Sequence, residues 1–189
     1  KPIIQTILRY TAEGSSKRND LQIEQLSFAG KPGGPPLFAI AAVLEYQFGR
    51  GELRLNSADP HDLPIIENRF CEDDRDTIRL VACMRDTLRF TREGEVAELI
   101  ASISFPDPKR GLDDEVLTKL CKKFAASVYH PCGTIKMGDK SDPMSVVDQY
   151  GRAHRFDNLE VADASIMPFV PRANTNLTCI MIGEMIGEW

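Results

Sequence analysis

Between Asp73 and Gly94, apolar positions recur every three or four residues: Thr77, Leu80, Val81, Met84 and Leu88 fall on one stripe. That period commits about five turns of chain to a helix with a single buried face. The ends agree. Asp73 and Asp74 stand where the positive end of the helix dipole favours acid. Arg85, Arg89 and Arg92 come late, and Gly94 supplies a stop. A helix with one apolar face needs a partner layer, and the preceding sequence offers sheet. Leu21–Phe28 and Leu37–Phe48 carry the Ile, Leu, Val and aromatic content of strands. Gly30-Lys31-Pro32-Gly33-Gly34-Pro35-Pro36 between them is a loop. After the turn Gly49-Arg50-Gly51, Glu52-Leu53-Arg54-Leu55 alternates polar and apolar, which predicts a half-buried strand. Three strands on short links predict an antiparallel sheet and an α+β fold. A second helix is expected from Asp113 or Asp114, burying Val116, Leu117, Leu120 and Phe124.

The chain's 189 residues suffice for one domain or one and a half. A hydrophobic fraction of 42% with 27% charged residues supports a packed core rather than disorder. With 23 Lys plus Arg against 28 Asp plus Glu, the net charge of −5 gives no electrostatic reason to expect nucleic acid or anionic membrane as a partner. No apolar run approaches the roughly 20 residues that span a bilayer, and no signal peptide is visible. Cys71, Cys83, Cys121, Cys132 and Cys179 are widely spaced and form no CxxC. They read as reduced, buried thiols of a cytoplasmic protein. His61, His130 and His154 show no close Cys or His spacing of a zinc site, so no metal is expected. Arg50, Arg54 and Arg85 read as solvated charges. Lys1 without a preceding Met, and Trp189 inside an unfinished helical pattern, suggest that both ends are cuts.

From Val128 the texture changes. Short apolar pieces alternate with His130, Pro131, Gly133, Met137 and Gly138. Leu159-Glu160-Val161-Ala162 reads as a short strand running into Asp163-Ala164-Ser165. Beyond Pro168 and Pro171, Asn174-Thr175-Asn176 leads into a helix over Leu177–Trp189. A strand, an Asp at its carboxyl end and a nearby helix N-terminus are the parts from which dinucleotide sites are built.

The order Tyr129-His130-Pro131-Cys132-Gly133-Thr134, Met137-Gly138, Val146-Val147-Asp148, Leu159 to Ser165, Pro168, Asn174-Thr175-Asn176 and Ile182-Gly183-Glu184 resembles the C-terminal block of the glucose–methanol–choline (GMC) flavoprotein oxidoreductases, of choline dehydrogenase type. A looser likeness covers Gly49 to Pro60, and residues 1 to 46 fit the family's substrate-domain strands in general character. The resemblance implies two parts. Residues 1–127 would be a partial substrate-binding domain of antiparallel sheet and helices. Residues 128–189 would be a return segment completing a Rossmann-like FAD domain absent from this chain. No GxGxxG occurs here.

For the activity, the resemblance implies FAD-dependent oxidation of an alcohol to an aldehyde or ketone. An alcohol loses hydride to a flavin only as its hydroxyl proton departs, so a base is needed. The resemblance gives that role to His130, and gives Asn174 the hold on the alcohol oxygen. An amide cannot act as a base, so His130 is left as the titrating partner. Asp163 and Ala164 would approach the flavin side of FAD, and Thr175 and Asn176 its isoalloxazine region from the start of the last helix. Several family members carry Pro at the position of Thr175. Other readings stand beside these. His130 could be a hydrogen-bonded structural histidine, Asn174 or Asn176 a helix cap, and Asp163-Ala164 a strand-end turn. Cys132 reads as a small buried hydrophobe. As an isolated piece the chain could instead be a non-catalytic structural or binding module that needs the N-terminal FAD domain as partner. Removing that domain is expected to bare Leu177, Ile180, Met181 and Ile182 and to promote self-association.

Overall fold

The computed structural model describes residues 4–27, 30, 32–34, 37–107, 109 and 111–188. Phe28, Lys31, Pro35, Pro36 and Trp189, to which the sequence assigned strand, loop or helix, lie outside the described residues. The fold is α+β, and its contacts divide it into two compact units: Lys1–Gly49 with Phe70–Ala126, and Arg50–Arg69 with Ser127–Trp189. By these contacts Arg50–Arg69 groups with the C-terminal stretch.

The first unit carries a three-stranded antiparallel sheet in the order β1 (Ile4–Tyr10), β2 (Leu21–Leu26), β3 (Ala39–Leu44). Leu21 of the central strand pairs with Tyr10 on one side and Leu44 on the other. The third strand of this sheet is therefore β1, and not the Glu52–Leu55 segment. Helix α1 (Asp74–Phe90) packs on the sheet. Asp73 caps it, its carboxylate accepting from the Arg75 amide at 2.9 Å. The apolar stripe read from the sequence faces α3 (Asp114–Phe124): Val81 and Leu88 are buried with Cys71, Leu117 and Cys121, and Leu80 and Met84 pack beside them. Asp113 caps α3 through the Val116 amide. Gly94 does not end a helix but opens a short one, α2 (Gly94–Glu98), at φ +70°. Leu21 and Leu117 are fully buried, and each contributes on the order of 2 kcal/mol of apolar transfer free energy.

The side of α1 towards the sheet carries buried charge beside Cys83, which its apolar stripe did not reveal. Asp20, Arg79 and Asp76 are all buried there. Arg79 Nη1 donates to Asp20 at 2.7 Å, and Nη2 donates to Asp76 and to the Tyr46 carbonyl, each at 2.8 Å. Asp20 also accepts from the Ala12 amide and the Ser15 hydroxyl, and Asp76 from the amides of Phe48 and Gly49. Two chain reversals and a helix are thereby pinned on one guanidinium. Every charge is paired and hydrogen-bonded, the condition under which burial is tolerated.

In the second unit, β4 (Glu52–Arg54) and β5 (Ile65–Glu67) form an antiparallel pair. Arg54 and Arg69 each contact both Glu52 and Glu67 there. All three residues of β4 are exposed, so the expected half-burial fails; the pair is laced together by cross-strand charge. The strand expected at Leu159–Ala162 is reduced to one bridge, Glu160 to Arg152. The last helix, α4 (Asn176–Glu188), lies where its apolar run placed it. Among the described residues no helix is long and apolar enough to cross a membrane.

Breaking the charged clasp tests its weight. Arg79→Met leaves two buried carboxylates without their cation and should cost about 3–5 kcal/mol in urea unfolding. Burial alone would raise the Asp20 carboxyl. Ser15, the Ala12 amide and Arg79 together hold it below its ordinary value of 3.8. The folded value is the lower one, so this stabilisation is complete above 3.8 and disappears as pH falls through the folded value. The thermal midpoint should therefore drop below about pH 4, and Asp20→Asn should flatten that drop. An acid limb equally steep in Asp20→Asn would show that other carboxylates carry it.

Candidate active site

Backbone geometry brings His130 into place before any side chain is considered. Ser127 Oγ accepts from the Tyr129 amide at 2.9 Å, and Tyr129 adopts φ +65°. A left-handed tyrosine costs on the order of 1–2 kcal/mol and persists only where its surroundings require the turn. Four residues on, Gly133 has φ +83°, and a Cβ there would stand 3.1 Å from the Met167 carbonyl. From this glycine the chain runs beside Ala164–Ile166, a single 3-10 turn. The amides of Gly133, Ile135 and Met137 donate to the carbonyls of Ala164, Ser165 and Ile166 at 3.1, 2.9 and 2.8 Å.

Beneath this ladder lies one apolar core. Val147, Ile166, Met167, Ile182 and Ile186 are buried, and Cys132, Ile135, Ala164 and Cys179 pack against them. Cys132 stands two residues from His130, and Cys179 is in the first turn of α4. The same core thus fixes the His130 segment and the beginning of α4 side by side. Burial raises the Cys132 thiol, opposed by Arg50 and reinforced by Cys179, so it is held as a neutral thiol.

The histidine meets two consecutive residues at that helix start. Asn174 Nδ2 lies 2.9 Å from His130 Nε2, and Thr175 Oγ1 lies 2.9 Å from His130 Nδ1. Asn174 is exposed, His130 half-buried and Thr175 buried at 7% exposure. With the amide nitrogen of Asn174 turned to it, Nε2 is assigned as acceptor, and a neutral ring then carries its proton on Nδ1, towards Thr175 Oγ1. His130 and Asn174, which the resemblance paired, are therefore in direct contact. The bond to Thr175 had no counterpart in the sequence reading. Its one available signal was a hydroxyl residue where relatives carry Pro.

Asp163 and Ala164 sit at the start of the 3-10 turn. The exposed Asp163 carboxylate caps it through the Ser165 amide at 2.7 Å and also accepts from the Ser165 hydroxyl. Ala164 gives its carbonyl to Gly133 and, as the first residue of the turn, has no acceptor within it for its N–H. Asn176 opens α4 and is exposed. His61 and His154 do not join the site. His154 Nε2 instead lies 2.9 Å from Ser145 Oγ and 3.2 Å from the Gly138 carbonyl, holding a loop.

A family model described as GMC oxidoreductase matches residues 48–183. An oxygen-dependent choline dehydrogenase of Cronobacter sakazakii is 39% identical over 142 residues, covering 74% of this chain and 24% of that protein. Among solved structures, a pyridoxine 4-oxidase from Mesorbium loti superposes with a TM-score of 0.78 at 20% identity, over 96% of this chain and 36% of that one. A formate oxidase of Aspergillus oryzae, studied for modification of its FAD, superposes with a TM-score of 0.76 at 22% identity, over 92% of this chain and 31% of that one. The chain spans about a quarter of the length of the curated relatives it matches. At these identities the structural likeness establishes the fold.

The close approach at Gly133 yields a test. Gly133→Ala forces a side chain into a left-handed residue against the Met167 carbonyl, and should cost roughly 1–3 kcal/mol in unfolding free energy. A variant as stable as wild type would mean that the turn before the 3-10 segment is not the constraint on His130.

Proposed function

This chain belongs to the GMC oxidoreductase family, and from that premise we propose that it supplies the proton-transfer end of an FAD-dependent enzyme oxidising an alcohol to an aldehyde or ketone. One observation carries the reading: the 2.9 Å contact of Asn174 Nδ2 with an Nε2 assigned as acceptor. The pair holds both groups that an alcohol hydroxyl needs. An incoming hydroxyl can take the place of Asn174 at Nε2, donating its proton there while its oxygen accepts from Nδ2. No hydrogen bond is lost in the exchange. As the O–H proton moves to Nε2, the Asn174 amide faces the developing alkoxide charge.

The residues present fit the flavin end of FAD by their donors. Ala164 offers an N–H at the start of a turn, and Thr175 and Asn176 stand where the first amides of α4 are without intrahelical acceptors. Asp163 and Ala164 would face one side of the group, and Thr175 and Asn176 its ring system. When bound, FAD would accept the hydride from the alcohol carbon. We assign residues 1–127 to a partial substrate-binding domain and 128–189 to the return segment, and place the enzyme in the cytoplasm. Its main partner would be an N-terminal FAD domain in a longer chain. Leu177, Ile180 and Met181 support that covering. They are 78%, 53% and 50% exposed, while Ile182 is buried in the core below. The 189-residue chain alone should be colourless and should self-associate in sedimentation; a monodisperse species would count against a covered face.

Catalysis separates the two polar residues. In the full-length, FAD-loaded protein, His130→Ala should slow anaerobic flavin reduction by roughly 10²- to 10⁴-fold. Choline is the first alcohol to assay, given the relatives' name. Asn174→Ala should cost on the order of 2–3 kcal/mol of barrier, since it removes one donor and leaves the base. A His130→Ala enzyme reduced by its alcohol at nearly the wild-type rate would end the assignment of His130 as base.

A further inference from the structure

We propose that Thr175 is a positioning residue that fixes the tautomer and ring orientation of His130. The inference rests on the proton-acceptor role given to His130 above. Two adjacent residues hold both nitrogens of one imidazole: Asn174 at Nε2 and Thr175 at Nδ1, each at 2.9 Å. A half-turn of the ring would put carbon atoms where the two nitrogens stand and break both bonds at once.

The two contacts differ in what substrate does to them. An alcohol arriving at Nε2 displaces Asn174 from that atom. Thr175 then remains as the anchor of the ring during proton transfer. Its own position is firm: it is 7% exposed, and its carbonyl accepts the Cys179 amide at 2.9 Å, the bond that starts α4. A threonine preceding a helix ordinarily turns its hydroxyl to cap the first amides. Here the hydroxyl meets Nδ1 instead. With the ring proton held on Nδ1, the lone pair stays on Nε2, the atom that faces Asn174. Once Nε2 has taken the alcohol proton, the Nδ1–H bond to Oγ1 persists and becomes charge-assisted.

The test uses full-length protein carrying ¹⁵N-labelled histidine, with the His130 signals assigned by their loss in His130→Gln. Wild type at a pH where the ring is neutral should show a protonated, pyrrole-type Nδ1 and an unprotonated Nε2. Thr175→Val removes the hydroxyl at nearly constant volume. It should mix the two tautomers and slow anaerobic flavin reduction roughly 10- to 100-fold, the range seen when an orienting partner is lost. Thr175→Ser should restore both signal and rate. A wild-type spectrum with the proton on Nε2 overturns the proposal, and it does so even if Thr175→Val fails to accumulate. So does a Thr175→Val protein with wild-type tautomer and rate. Mixed tautomers in Thr175→Val, beside a His130→Ala enzyme of undiminished rate, would uphold the clamp and overturn the base assignment instead.

Discussion

The candidate site depends on one buried contact: the inner side of α4 against the paired segments Gly133–Met137 and Ala164–Met167. Ile182 and Ile186 supply it from the helix, Val147, Ile166 and Met167 from below. Remove that core and nothing holds residue 130 beside residue 174, which are far apart in sequence. The polar groups of the candidate site ride on the rim of an apolar assembly. Its packing sets their 2.9 Å separations more firmly than the hydrogen bonds themselves, which are each worth on the order of 1 kcal/mol. Gly151 shows how tight the assembly is. A Cβ on it would stand 2.6 Å from both Ile186 Cδ1 and the Val161 carbonyl, so a side chain at that point would push α4 off its seat.

The first unit solves the opposite problem. Its sheet and α1 meet partly through apolar residues such as Leu21, Ile23 and Cys83, yet the same layer contains Asp20, Arg79 and Asp76. Such a cluster has little net worth over a well-packed apolar one. What it provides is geometry: two chain reversals, at Ala12–Ser15 and Tyr46–Gly49, are tied to a single helix side chain. Elsewhere in the unit, the Tyr10 hydroxyl is raised by burial and by Cys83 and Asp86, and Cys121, packed between α1 and α3, is pushed up to about 12 by burial among other thiols. Both groups are thus held in their neutral forms near neutral pH.

Legibility followed period and capping. α1, α3 and α4 were readable because apolar content and spacing are local signals, reinforced in α1 and α3 by Asp caps, and complete within a few turns of sequence. Sheet partners were not, because pairing is a non-local choice. Nothing in Ile4–Tyr10 declares that it, rather than Glu52–Leu55, lies beside Leu21–Leu26. Buried Arg79 was hidden for the same reason. An arginine late in one helical turn looks solvated until a carboxylate 59 positions away is placed beside it. At the site, His130 and Asn174 were legible only through family likeness, since no spacing rule links positions 44 residues apart. Thr175 fell between the two: its residue type was visible, but its partner was not.

The same helix explains why so much chemistry can hang on so short a stretch. α4 is apolar on more than one side: Ile182 and Ile186 are buried while Leu177, Ile180, Met181 and Met185 are exposed. A surface helix seldom spends its outer face this way, because each aliphatic side chain left uncovered forgoes part of the roughly 1.5–3 kcal/mol that full burial would supply. The polar residues Asn174, Thr175 and Asn176 are crowded at its start, where unpaired amides and the positive end of the dipole concentrate. The division is economical. The body of the helix is available for packing on both sides, and the end is left to hold an imidazole. A single rigid element can then transmit the position of the core to the imidazole of His130.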